Sequence, residues 1–429
     1  MRISGSTSSS TTARALTAAA WVGVLAMLAW GPGVGNVHAA PGAFSRNALL
    51  ASIGRNVMLP TYNRFNLSAA RLGGALNAYC TAAKTRFASA NPTAARLAWR
   101  AAMNQWQIAE MFQFGPVAMN GGVIRNNIYS WPLENTCSVD QNVVNFENNR
   151  NPDGSTPFSI NATTVDSRGL PAIGYLLFAV GKNHTCPVQV AVTRGWNQRP
   201  LAAREAARCE YAIAAARHVK ANAQALVNAW APGRGNYLRD LATAGQPGSS
   251  FPSAHAAINE VSDAMFYLEN EVKEMKLGEP LGKFDNNCGP GEICPEELES
   301  LKDRTNNGRL DALIYNSGHA KQMLRQNFIA FQQGFHGGAP GNPLAIGFDD
   351  FLASLGQRVF ANQMAAQLRA LVASVDSIDG TLNAALATDF RAVDDVYELR
   401  LQPISIRLRN QFLSILGLEA PASSASDTD

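Results

Sequence analysis

Four carboxylates, Glu260, Asp263, Glu271 and Glu274, recur at spacings that put them on one face of a helix, with Tyr267 among them. Hard-oxygen donors so arranged suit Ca²⁺ or Fe³⁺ if a partner helix closes over them, although a solvated helix face carries the same pattern. Glu110 follows Trp106 by one helical turn, on the edge of an apolar stripe. A carboxylate buried there needs a partner, and Arg100 or Arg125 could supply it as a structural ion pair. Arg125, Asp140 and Arg168 flank the loops that would cap the first half of the chain, where a small-ligand cleft between domains could form.

The remaining reactive residues exclude more than they offer. No HExxH and no His pair at i, i+4 occurs, so the common zinc-hydrolase signature is absent. No GxSxG elbow, P-loop or dinucleotide fingerprint is present. Six cysteines, Cys80, Cys137, Cys186, Cys209, Cys288 and Cys294, contain no CxxC and no His at zinc spacing. Disulfides are the expectation: Cys288 with Cys294 across a short Gly/Pro loop, Cys186 with Cys209, and therefore Cys80 with Cys137.

The N-terminus supplies the oxidising context. Arg2 and Arg14 precede the apolar stretch Ala15 to Trp30, and Val37-His38-Ala39 offers small residues at a cleavage site. Residues 1–40 read as a secretory signal, which places the protein in the periplasm or cell envelope. They hold two arginines and no acid, so the net charge of +3 falls to +1 without them. Such a chain has no electrostatic reason to bind nucleic acid, and no later apolar run is long enough to span a membrane.

The elements that must position these groups are helices. Trp99, Ala102, Met103, Trp106 and Ala109 form one stripe at a period of 3.6, after Asn91-Pro92 and before Gly115-Pro116. Two Trp on one stripe predict a helix lying between others. Residues 202–230 read as a long Ala-rich helix and 255–276 as another, with Val261, Ala264, Leu268, Val272 and Met275 on its apolar face. Further helices are expected from Pro295-Glu296-Glu297, through Leu310, Leu313, Ile314, Phe328 and Phe331, and over residues 351–371, 389–401 and 404–416. A break is expected at Pro60, an exposed insertion over 145–159, and a disordered tail from 421 to 429. Strand-like alternation is nearly absent. The fold class is all-α: two helical bundles packed side by side, over 41–200 and 201–420.

The order of several segments resembles the imelysin-like family, exported helical proteins linked to iron-regulated uptake and classed with metallopeptidases. The matching pieces include Trp99 to Pro116, Arg125 with Trp131-Pro132, Cys137 to Gln141, Arg168 to Phe178, Cys209 to Ala212, and Lys276 to Gly282. The family's metal motif is GxHxxE. Here Gly169 matches, Pro171 takes the His position and Gly174 the Glu position, and neither replacement offers a lone pair from its side chain. Gly334-Phe335-His336 repeats the first half of the motif, with Ala339 in place of Glu. The resemblance implies iron or haem as a ligand, an envelope uptake partner, and a binding or accessory role without catalysis. The ligand-binding residues would come from Arg125, Asp140, Arg168, Glu271 and Glu274, with no metal ligands assigned. The alternative is a metallopeptidase whose metal sits outside the degenerate motif.

Overall fold

A computed structural model describes residues 44–179, 181–286, 288–295 and 317–421, and no strand occurs among them. The signal segment, the tail beyond residue 421, and the stretch from Glu296 through Leu310, Leu313 and Ile314 lie outside the described residues. No described helix is long and apolar enough to cross a membrane.

The first helical rod begins with α1 (Arg46–Ser52), where the Ser45 hydroxyl accepts from the Ala48 N–H. It passes through a π-helical turn, Ile53–Met58, into α2 (Leu59–Thr85). Pro60 therefore does not break the rod. It stands in the first turn of α2, just after the wider π turn, where a missing N–H is tolerated. In α3 (Thr93–Glu110) the whole predicted stripe from Trp99 to Ala109 is buried, between α2 on one side and α10 (Ala320–His336) on another.

Next come α4 (Met119–Ile128), α5 (Thr136–Glu147) and the fully buried α6 (Gly169–Phe178). The 30-residue α7 (Leu201–Trp230) lies along α2 and also covers α5 and α6. After α8 (Tyr237–Ala242), α9 (Ala254–Met265) continues through a 3₁₀ turn, Phe266–Leu268, into a π-helical stretch, Glu269–Gly278. α10 packs on α3 and on α12 (Arg358–Asp376), against which α11 (Phe348–Ser354) also lies. Short helices α13 (Leu382–Thr388), α14 (Phe390–Asp395), α15 (Gln402–Arg407) and α16 (Leu413–Leu416) complete the chain.

The described residues fall within one compact unit. The expected boundary near residue 200 falls at the entry to α7, a helix that packs mainly on α2 from the first half.

That packing also corrects two of the three expected disulfides. Cys80 on α2 faces Cys209 on α7, with Cα atoms 5.4 Å apart, so these two are bonded. Cys137 on α5 pairs with Cys186, 4.5 Å away between Cα atoms. Only Cys288–Cys294 is paired as expected. Sequence spacing carries no information about which helices lie alongside each other, and that decides the other two.

Candidate functional site

The last turn of α3 presents Gln107 and Glu110 on one side, and both are fully buried. The Lys276 ammonium, from the π-helical stretch, donates to Gln107 Oε1 at 2.8 Å, Glu110 Oε2 at 2.8 Å and Asn327 Oδ1 of α10 at 3.2 Å. Three donor directions meet three acceptors, which is the full capacity of an ammonium. The Tyr267 hydroxyl donates to the other Glu110 oxygen. Aromatic faces close the cage: Lys276 Nζ stands 5.1 Å from the Trp131 ring centre and 5.5 Å from that of Tyr267. Burial lowers the Lys276 pKa, and the Glu110 charge opposes that shift.

Glu110 is thus buried with a partner as expected, but the partner is Lys276 rather than Arg100 or Arg125. Arg100 donates to the Ser317 carbonyl, and Arg125 to the Trp131 carbonyl at 3.1 Å and to Asn126 Oδ1 at 2.8 Å. Arg125 still stands close enough to act on this cluster electrostatically. Burial pushes Glu271 up to about 7, the Glu110 charge adds to the rise, and Lys276 and Arg125 oppose it. Of the five sequence-derived binding residues, then, Arg125 and Glu271 share one neighbourhood.

The acidic stripe does not survive as a stripe. Its 100° step per residue holds only in an α-helix, and the 3₁₀ and π turns after Met265 change that step twice. Glu260 accepts from the Gly115 N–H at 3.0 Å, Asp263 is exposed, and Glu274 lies 3.8 Å from Lys273.

Asp140 and Arg168 sit in separate networks. Asp140 accepts from the Tyr175 hydroxyl at 2.9 Å, from the Thr185 N–H at 2.8 Å and from Arg208 at 3.0 Å. These bonds tie α5, α6, α7 and the Thr185 loop together. Arg208 is 1 % exposed and lies 4.6 Å over the Tyr175 ring, so this pair is shut inside the fold. Arg168 donates to the carbonyls of Ile160 at 2.7 Å and Thr163 at 3.0 Å and to Asn127 Oδ1 at 2.7 Å. It holds the loop before α6 against α4. The sequence offered little for Lys276 and Arg208, which stand among other charged residues, or for Tyr175, which lies inside an apolar run.

α6 is the helix that carries the degenerate motif. Gly169 has φ +84°, and a Cβ there would come 2.6 Å from the Ile128 carbonyl oxygen, so glycine is required. Pro171, Gly174 and Phe178 share one face by their spacing. The Phe178 ring meets Trp99 edge-on at 5.2 Å, and the Arg96 and Arg100 guanidiniums lie 5.2 and 5.3 Å from its centre. Two cations and two aromatic rings, with no side-chain donor at 171 or 174, do not fit a metal cation. Among the described residues no three His, Cys, Asp or Glu side chains converge as a metal site. His336 bonds Asp349 through Nδ1 at 2.6 Å, far along the chain from α6.

An all-helical protein built around a motif helix without metal donors is what this geometry defines. The chain belongs to the imelysin family: the family model described as imelysin, Peptidase M75, matches residues 58–397. It is 27% identical over 230 residues to iron-regulated protein A of Synechococcus elongatus, covering 52% of each chain, so it spans about half the length of that curated relative. Among solved structures, it resembles an iron-regulated protein A precursor from Parabacteroides distasonis, with a TM-score of 0.62 and 16% identity over 89% of this chain and 96% of that one. An imelysin-like protein from Psychrobacter arcticum gives a TM-score of 0.58 at 14% identity, covering 87% and 96%. At these identities the structural likeness shows the fold.

Proposed function

We propose that this protein is an exported, non-catalytic member of the imelysin family that serves iron or haem uptake as a binding or accessory component of the periplasm or cell envelope. The observation that carries the non-catalytic reading is the side-chain set of α6. Pro171 and Gly174 stand where the family motif has His and Glu, and Arg96 and Arg100 pack on the Phe178 ring further along the same helix. A catalytic cation placed there would find no lone pair on either side chain.

The iron connection is supported by the curated relative named iron-regulated protein A. Export is supported by three disulfides, which persist in oxidising compartments. The residues most open to a ligand role are Arg125 and Glu271, which share the edge of the Glu110–Lys276 cluster.

The uptake role is tested by deleting the gene in its host and following radiolabelled iron and haem uptake under iron limitation. We expect slower uptake of one of them, restored by the wild-type chain. Unchanged uptake of both would refute the role.

A further inference from the structure

A cavity of about 650 Å³ opens where the start of α3, the end of α6 and the start of α7 come together, away from the Glu110–Lys276 cluster. Its volume is within the range of sites that hold small molecules. The wall carries two cations, Arg96 and Lys182, and one carboxylate, Glu205. Phe87, Phe178 and Leu201 supply apolar surface beside them.

The charged groups are held in place before any ligand arrives. Arg96 donates from Nε to the Leu177 carbonyl at 3.0 Å, and its guanidinium lies 5.2 Å from the Phe178 ring centre. Both contacts fix the plane of the fork, and among the described residues no hydrogen bond engages its two terminal nitrogens. Glu205 is 3 % exposed; it accepts from the Tyr79 hydroxyl and lies 3.0 Å from Lys182. One carboxylate thus faces two cations, and Arg208 stands close enough behind them to act on Lys182. Burial pushes the Lys182 pKa down, and the Arg208 charge pushes it further. The wall has surplus positive charge that an entering anion would neutralise.

We infer that this cavity is a binding site for a small organic carboxylate with a hydrophobic body, its head group on Arg96 and Lys182 and its body against Phe178, Phe87 and Leu201. A fixed guanidinium fork matches a carboxylate through two parallel hydrogen bonds. The single wall carboxylate is already engaged, which disfavours a cationic ligand. The aromatic and aliphatic wall leaves an inorganic anion without contacts over most of the cavity.

Octanoate is the probe, titrated calorimetrically into the purified, delipidated protein. Saturable binding at one site is expected, with octanamide and acetate each at least about tenfold weaker, a difference of about 1.4 kcal/mol. Arg96→Gln is expected to weaken octanoate by a similar factor. Lys182→Gln, at a position 18 % exposed, provides the same reading if Arg96→Gln fails to fold by circular dichroism. Equal binding of octanamide would overturn the head-group assignment, and equal binding of acetate would overturn the apolar body. No saturable binding, or octanoate binding unchanged in the folded variant, would overturn the site. None of these outcomes decides the reading of α6, which turns on the side chains at 171 and 174, although Arg96 and Phe178 border both regions.

Discussion

The Lys276 ammonium stands 2.8 Å from the Glu110 carboxylate, and the Glu110 side chain is wholly cut off from solvent. This pair joins the end of α3 to the π-helical stretch after α9, while the Asn327 amide donates to the Gln107 carbonyl at 2.8 Å and brings α10 to the same point. Separate parts of the chain are registered against each other there by charge and hydrogen bonding. Removing one partner leaves the other charged and buried, which is the expensive case.

We therefore expect Lys276→Met to destabilise the protein by about 3–5 kcal/mol in guanidinium unfolding with the disulfides intact. Adding Glu110→Leu should restore part of that loss, since no lone charge remains. Simple additivity of the two single losses would show that the pair is not coupled.

Glu271 gives a pH signature of known sign. Its carboxyl is raised in the folded protein to about 7 from an ordinary 4.5 by burial. The folded state thus holds the proton more tightly, and the associated stability is full below about pH 4.5 and is lost as pH rises through about 7. Glu271→Gln should show a smaller fall in unfolding midpoint between pH 5 and 7.5 than the wild type. An identical fall in both would contradict the burial of this carboxyl.

Two histidines act in the opposite direction. Burial holds His218 and His319 down to about 4, and each has one ring nitrogen on an Asn oxygen, at 3.0 and 2.8 Å. Their folded pKa lies below the unfolded 6.5, so their stability is present above pH 6.5 and lost as pH falls towards 4. His319→Gln should lessen the acid loss in that window, and NMR titration should find both rings neutral at pH 5.5.

The disulfides should rank by the length of chain each closes. Cys80–Cys209 closes 129 residues and Cys288–Cys294 only 6. Replacing both cysteines by alanine should cost about 5 kcal/mol for the first and about 2 kcal/mol for the last on the chain-entropy estimate. Peptide mapping of unreduced protein should recover Cys80 linked to Cys209. A Cys186–Cys209 peptide would contradict the packing of α2 on α7.

The helices were legible where period and caps agreed. Trp99, Trp106 and their neighbours are buried as their stripe implied, and the Asn91 side chain accepts from the Thr93 N–H where α3 begins. The acidic residues from Glu260 to Glu274 do not keep one face because the chain changes helix type after Met265, and no residue there announces a 3₁₀ or π turn. Burial of Glu110 was readable from its place beside Trp106, but its partner was not. Lys276 lies 166 positions away and meets it only through tertiary packing. Arg96, Lys182 and Glu205 give no sequence signal at all, since a cavity belongs to the junction of elements rather than to any one of them.

Metal content and peptide cleavage, measured together on protein purified from the periplasm without a chelating tag, test the non-catalytic reading most directly. Pro171 and Gly174 predict no stoichiometric zinc and no cleavage that a chelator abolishes. Stoichiometric zinc whose removal stops cleavage would contradict it.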